Sequence, residues 1–226
     1  MSSALDGSSK GITFFQWMIL GTLTLTSTLY AMSMTIANIA LPQLQGALGA
    51  TQDQIAWTVT FNIIGTAILT PMTGWLTLRF GQRRLMLCAI FGFATSSILC
   101  GQANALPELV IYRVFQGAFG GPLVPLSQAI ILGVFPRRLH SFATAVWGMG
   151  VVCGPIIGPT VGGYISEAYS WRWIFYIIAP FSLLAFLGAW LYVRNTTHNK
   201  LSKLDWTGFI SSVSYTHLRA HETRCN

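Results

Sequence analysis

The chain is poor in charge. Of its 226 residues 8% are Asp, Glu, Lys or Arg, and 53% are hydrophobic. Soluble domains carry about a quarter charged residues, so this composition excludes an ordinary soluble domain. Acid is scarcer than base, with 6 Asp and Glu against 13 Lys and Arg. None of the acids falls deep inside an apolar run; Asp53 and Glu108 stand only at outer ends. Cysteine is equally uninformative. Cys88, Cys100 and Cys153 lie within apolar runs, where the thiol acts as a small hydrophobe, and Cys225 is in the tail. No metal-ligand spacing and no disulfide framework follow from them. His140, His198, His217 and His221 all fall in loops or the tail, so no Ser/His or Cys/His pair supports a nucleophilic enzyme. An intramembrane protease would need a GxSxG serine and a histidine within a span, and the sequence has neither. No metal or organic cofactor is expected.

What the chain does have is long apolar runs. Six are long enough to cross a bilayer, near residues 16–41, 55–78, 85–105, 108–132, 142–165 and 173–193. The expected fold is an all-α integral membrane bundle of six spans over residues 16–193, and the bilayer is its first partner. The first run is too long for a signal-peptide core and is read as an uncleaved span. A seventh span begins at Trp206 and covers 206–214. Residues 215–226, YTHLRAHETRCN, cut into it with a polar, basic string. A helix cannot stop in mid-membrane with its backbone groups unpaired. The string looks like translated adapter sequence and is set aside as non-native; the alternative is a genuine short cytoplasmic tail.

The net charge of +7 is distributed by side. Lys10, Arg79, Arg83, Arg84, Arg137, Arg138, Arg194, Lys200 and Lys203 fall in alternate loops on one side. The other side holds Asp53, Glu108, Glu167 and, among bases, only Arg172. The positive-inside rule places residues 1–15 and the loop at 194–205 in the cytoplasm. A nucleic-acid surface would need a soluble basic face, and none is present.

Three segments carry specific chemistry. In WGMGVVCGPIIGPTVGGYI, from Trp147, Gly150, Gly154, Gly158 and Gly162 recur every four residues and form one stripe, with Gly163 beside it. Such a stripe lets another helix approach closely, while Pro155 and Pro159 are expected to interrupt and bend this one. In LVIYRVFQGAFGG, from Leu109, Arg113 is the one basic residue clearly within a span. A charge in hydrocarbon costs several kcal/mol unless it faces protein or a wet cavity, so Arg113 is expected to face inward beside Gln116 and Gly117. Snorkelling to the interface is the alternative. In TGWLTLRFGQRRLML, from Thr73, Gly74 and Gly81 permit a tight turn, and Arg79, Arg83 and Arg84 are placed to pair with carboxylates or helix C-termini. Asn38, Asn62, Thr66 and Gln128 are further polar residues within spans, with Asn38, Asn62 and Gln128 candidates for lining a cavity. Trp17, Trp57, Trp171 and Trp173 stand near span ends, where tryptophan anchors to the interface.

In their order and spacing these segments resemble the major facilitator superfamily, in particular its fourteen-span EmrB/QacA branch of drug:proton antiporters. The Trp147 segment resembles the branch's antiporter motif, the Thr73 segment the loop between spans 2 and 3, and Arg113–Gln116–Gly117 the RxxQG core of span 4. IANIALPQLQGALG from Ile36, WRWIFYIIAP from Trp171 and LDWTGF from Leu204 extend the likeness over roughly residues 15–213. The resemblance implies proton-coupled export of hydrophobic or amphipathic toxic compounds from a bacterial inner membrane. It also implies a periplasmic adaptor and an outer-membrane channel. In the family Arg113 would couple proton to cargo, and the Gly74–Arg84 loop would latch two bundles together. The chain would then be the N-terminal six-span half of a longer transporter. A transporter of the same fold with another cargo, such as a siderophore, amino acid or lipid, is the competing reading.

Two departures matter. The loop's acidic position is Leu78 here, and Gln82 replaces an arginine. Where many members carry an aspartate in span 1, this chain has Ser33, which cannot carry a proton at physiological pH. Counting 1.5 Å per residue from the span ends puts Arg113 about 7–8 Å and Ser33 about 12 Å below the outer surface, neighbours if spans 1 and 4 pack together.

Overall fold

The computed structural model describes residues 12–194. The expected loop at 194–205, the start of a seventh span at 206–214 and the tail at 215–226 lie outside the described residues, apart from Arg194. Within them every regular element is helical: α1 (Phe14–Ile39), α2 (Leu41–Leu48), α3 (Gln52–Phe80), α4 (Gln82–Gln102), α5 (Leu106–Gly120), α6 (Leu123–Val134), α7 (His140–Ala168), α8 (Trp173–Tyr176) and α9 (Ile178–Tyr192). Six of the resulting stretches are long and apolar enough to cross a membrane. Each coincides with one of the apolar runs. Span 1 is α1, span 2 is α3, span 3 is α4, span 4 joins α5 and α6, span 5 is α7 and span 6 joins α8 and α9.

The joints have local causes. Span 4 is not one uniform helix: Gly120-Gly121-Pro122 divides α5 from α6, with Gly121 and Pro122 still in right-handed helical geometry. Proline at 122 has no N–H to give and crowds the carbonyl four residues back, so the ladder shifts there. Pro180 has the same relation to Tyr176, where α8 ends. The opposite holds in span 5. Pro155 and Pro159 were expected to interrupt it, yet α7 continues as helix through both. Their rings lie away from the buried stripe of Gly154, Gly158 and Gly162. The outer connection after span 1 also differs from expectation, because LPQLQGAL forms the short helix α2, started by Pro42 in its first turn and closed by Gly49 at φ +60°.

Span 1 is the hub. It packs most extensively against α7, and also against α9 and α6. Span 2 packs on α5, and span 3 on α5 and α9. Contacts between ends fix which termini share a side. Arg83 of α4 reaches the Trp190 carbonyl near the end of α9, Gln16 of α1 reaches the Val134 carbonyl at the end of α6, and Arg194 lies over the Phe15 ring. At the other end Arg172 donates to the Gly101 carbonyl and to Asn104. The core forms two clusters. One joins Leu23, Met86, Phe93, Leu126 and Trp147; the other joins Ile36, Leu44, Ile55, Leu109, Trp171 and Phe175. Trp171 is thus buried in the core rather than anchoring at the interface, whereas Trp17, Trp57 and Trp173 are exposed.

The seam between α1 and α7 is built on the glycine stripe. A Cβ at Gly154 would stand 2.6 Å from the Thr28 carbonyl oxygen and 3.0 Å from the Met32 amide nitrogen, both backbone atoms that cannot turn aside. Gly158 faces Thr35 and Met32, and Gly162 faces Ile36. Thr28 donates to the Gly150 carbonyl at 2.8 Å, and the Trp147 indole donates to Ser27 at 3.1 Å. The expected close approach is observed, and its partner is span 1. Gly154→Ala in the intact transporter is expected to cost roughly 1–3 kcal/mol by overpacking. Gly74→Ala, in an open position of α3, is expected to gain up to about 1 kcal/mol from helix propensity. Thermal unfolding of the purified protein in detergent checks the pair, and equal melting temperatures would refute the seam.

Candidate functional site

Arg113 is the one charged side chain away from the ends of the described spans. It is 1% exposed, so it faces the bundle interior and does not snorkel. α5 presents it toward α4 and α8. Its Nη1 donates to Gln116 Oε1 at 2.8 Å, one helical turn on, and Gln116 Nε2 donates to Ser97 of α4 at 2.7 Å. Its guanidinium carbon lies 4.8 Å from the centroid of the Phe175 ring. A desolvated cation over an aromatic face gains about 2 kcal/mol. Nε and Nη2 have no hydrogen-bond partner. Among the described residues no carboxylate joins the cluster, so the positive charge is met by dipoles and a ring.

The backbone around Arg113 is held as tightly as the side chain. Asn62 of α3 donates to the Arg113 carbonyl at 2.9 Å. Thr66 donates to the Gly117 carbonyl at 3.2 Å, and its hydroxyl lies 3.1 Å from that of Tyr30 on α1. Gly117 has to be glycine, since a Cβ there would overlap the Asn62 carbonyl; Gly65 opposes the Val114 carbonyl in the same way. Asn62, a candidate cavity residue in the sequence, is therefore buried and occupied with span packing. Asn38 and Gln128 are exposed on this bundle, on spans 1 and 4.

The structure does not bring Ser33 and Arg113 together by hydrogen bonding. Spans 1 and 4 do pack, but mainly through α6, beyond Arg113. Ser33 is buried and donates to the Tyr30 carbonyl at 2.7 Å. Sequence reasoning missed Ser97, Phe175, Gly65 and Tyr30. A serine pair at 96–97 inside an apolar run was the available signal for the first.

The expected gating loop is shorter than its motif. Gly74 lies in mid-helix with open space beside it, and the turn is Gly81 alone, at φ +90°. Arg83 donates to the Trp190 carbonyl at 2.6 Å, the helix C-terminus contact expected of this cluster. Arg79 lies over Trp75 and Phe80, and Arg84 is exposed.

This arrangement of spans, with an arginine buried at one seam and a glycine stripe at another, defines a major facilitator bundle. Residues 23–221 match the Major Facilitator Superfamily, and the chain belongs to that family of membrane transporters. It is 44% identical over 168 residues to the multidrug export protein EmrB of Haemophilus influenzae, covering 74% of this chain and 33% of that protein. It is 39% identical over 166 residues to the fatty acid resistance protein FarB of Neisseria gonorrhoeae, covering 74% and 32%. The chain therefore spans about a third of the length of these relatives. The fold is that of the xylose transporter XylE of E. coli in its partially occluded inward-open conformation, with a TM-score of 0.73 at 19% identity over 80% of this chain and 50% of that one.

The acid-free surroundings of Arg113 give a signed prediction. Gln116→Glu places a carboxylate against Nη1, and the variant is expected to accumulate in membranes as the wild type does. Gln116→Lys sets two cations together in the core, where an uncompensated charge costs several kcal/mol, and is expected not to accumulate. Fluorescence-detected size exclusion of tagged intact protein checks both; equal accumulation would mean that Arg113 is not held as a desolvated cation.

Proposed function

We propose that the intact protein is a proton-driven exporter of hydrophobic and amphipathic compounds, and that it performs no covalent chemistry. The observation that carries this reading is the buried Arg113–Gln116–Ser97 cluster in a chain 44% identical over 168 residues to a multidrug export protein. Major facilitator folds bind cargo near mid-membrane between two related bundles and rock around it. Asn38 and Gln128 are exposed on spans 1 and 4 and are candidates to face such a cavity in the intact protein. The proton gradient supplies the energy and no cofactor is required. The basic bias at the Arg83 end supports a cytoplasmic N-terminus. The likeness to EmrB proteins is what suggests a bacterial inner membrane, with a periplasmic adaptor and an outer-membrane channel as partners. Arg113, Gln116 and Gly117 couple proton to cargo, and the Arg79–Arg84 segment gates the cytoplasmic side. The proton-carrying acid is peripheral, at Asp53 or Glu108, or lies outside the described residues.

The reading is tested on the intact transporter in a host stripped of its own pumps. Arg113→Ala is expected to reduce drug resistance to the host background while membrane insertion persists. Arg113→Lys is expected to restore only part of it, because a lysine lacks the planar fork that serves Gln116 and stacks on Phe175. Near-normal resistance in Arg113→Ala would refute the coupling role.

Ser33→Ala is expected to keep most pH-dependent export, while Ser33→Asp changes its pH profile. Dye efflux across external pH checks both, and loss of pH dependence in Ser33→Ala would implicate the hydroxyl. Orientation is read separately. Single cysteines at 79–84 and 133–141 should resist an impermeant thiol reagent in spheroplasts, and cysteines at 45–53 should react; the reverse pattern would invert the topology.

A further inference from the structure

Between α3 and α4, floored by the junction of α5 and α6, runs a groove of about 340 Å³, of whose lining only Arg84 and Phe80, in the proposed gating segment, have a role above. Leu69, Leu76 and Phe80 form one wall, Leu85, Cys88 and Ala89 the other, and Ala118, Phe119 and Pro122 the floor. Arg84 stands at its end. Of the three arginines at this turn, Arg79 is stacked on Trp75 and Phe80, and Arg83 is bonded to the Trp190 carbonyl. Arg84 is exposed and makes no hydrogen bond among the described residues. From Phe80 to Leu69 the groove follows α3 for about 16 Å at 1.5 Å per residue, close to half of a hydrocarbon core of about 30 Å. Its lining has no polar side chain except Arg84 and the Cys88 thiol. The exposed amides Asn38 and Gln128 lie elsewhere, on α1 and α6.

We propose that this groove holds an anionic phospholipid, with one acyl chain along α3 and α4 and the phosphate on Arg84. A length of one leaflet, an apolar lining and a single unengaged cation at the membrane surface together match a lipid. Basic pockets between spans at the cytoplasmic surface select anionic headgroups in this way. The site shares Arg84 with the proposed gating segment, but lipid retention is read without cargo and without export.

The test uses the intact transporter, stripped of lipid in detergent and titrated with phosphatidylglycerol or phosphatidylcholine, with bound lipid counted by native mass spectrometry. The wild type is expected to retain phosphatidylglycerol roughly fivefold more tightly, the effect of one basic residue near the surface. Arg84→Gln abolishes that preference, while Arg137→Gln, an exposed arginine in another loop, keeps it. Cys88→Trp fills the groove and loses tight binding of both lipids, with a thermal melt showing that it is folded. Equal retention of the two lipids by the wild type would overturn the proposal, as would a preference surviving Arg84→Gln or lost equally in Arg137→Gln. Binding that survives Cys88→Trp would overturn it too, and so would displacement of the lipid by a hydrophobic dye, which would make the groove a cargo site.

Discussion

Close approach of backbones is the constraint on which this bundle depends. In a bilayer, apolar side chains gain nothing by leaving lipid for protein, so helices associate through tight packing and hydrogen bonds. Both main seams meet that demand in the same way. Between α1 and α7, Gly154 sits against the Thr28 carbonyl; between α3 and α5, Gly65 and Gly117 each sit against a carbonyl of the opposite helix. At this range short side chains reach across to backbone oxygen. Thr28 bonds Gly150, Asn62 bonds Arg113, and Thr66 bonds Gly117. Carbonyl oxygens have a second lone pair, so these bonds add to the helical ladder without breaking it.

That frame is what makes a buried arginine tolerable. A guanidinium brought into the interior needs fixed dipoles around it, because mobile ones would have to be ordered for the purpose. Gln116 and Ser97 are held by their own helices, Phe175 is fixed within the outer core cluster, and Asn62 pins the Arg113 backbone. The charge is therefore stabilised by placement, with no opposing charge beside it. Two guanidinium nitrogens, Nε and Nη2, without a partner among the described residues leave the cluster short of full satisfaction. Incompletely satisfied polar groups in a low-dielectric interior carry a cost, and so respond strongly to any new dipole or charge nearby.

The sequence made the number and place of the spans legible because apolar length is a property of the chain itself. The cost of a charge in hydrocarbon favoured an inward Arg113, and its burial in the fold decided against the snorkelling alternative. Tertiary partners were less so. The stripe at Gly154, Gly158 and Gly162 signalled a close neighbour without saying which, and only the fold shows that it is span 1. Gly74 and Gly81 look alike in the sequence, yet one is helical and one turns, because the helix continues until a residue takes positive φ. Pro155 and Pro159 misled in the other direction: each removes one ladder donor, and the remaining ladder together with the α1 seam keeps α7 helical. The groove beside Arg84 had no linear signature, being assembled from three helices and the junction at Pro122.

The polar residues that join spans 1, 2 and 4 form a ladder without charge. Ser33 bonds the Tyr30 carbonyl, Tyr30 meets Thr66, Thr66 bonds the Gly117 carbonyl, and Asn62 bonds the Arg113 carbonyl. None of these groups gains or loses a proton near neutral pH. Such a ladder transmits position, because a shift of span 1 drags the carbonyls that flank Arg113. It does not transmit charge. On the proton-driven reading proposed above, the proton would change the charge of some other group and act on Arg113 through space. In a low-dielectric interior that action is strong over several ångströms, whereas in water it would be screened to little. With Ser33 where the family resemblance would place a carboxylate, the described bundle holds a buried cation and this polar linkage, and no acid away from the span ends. On that reading the titrating partner would come from a span end or from outside the described residues.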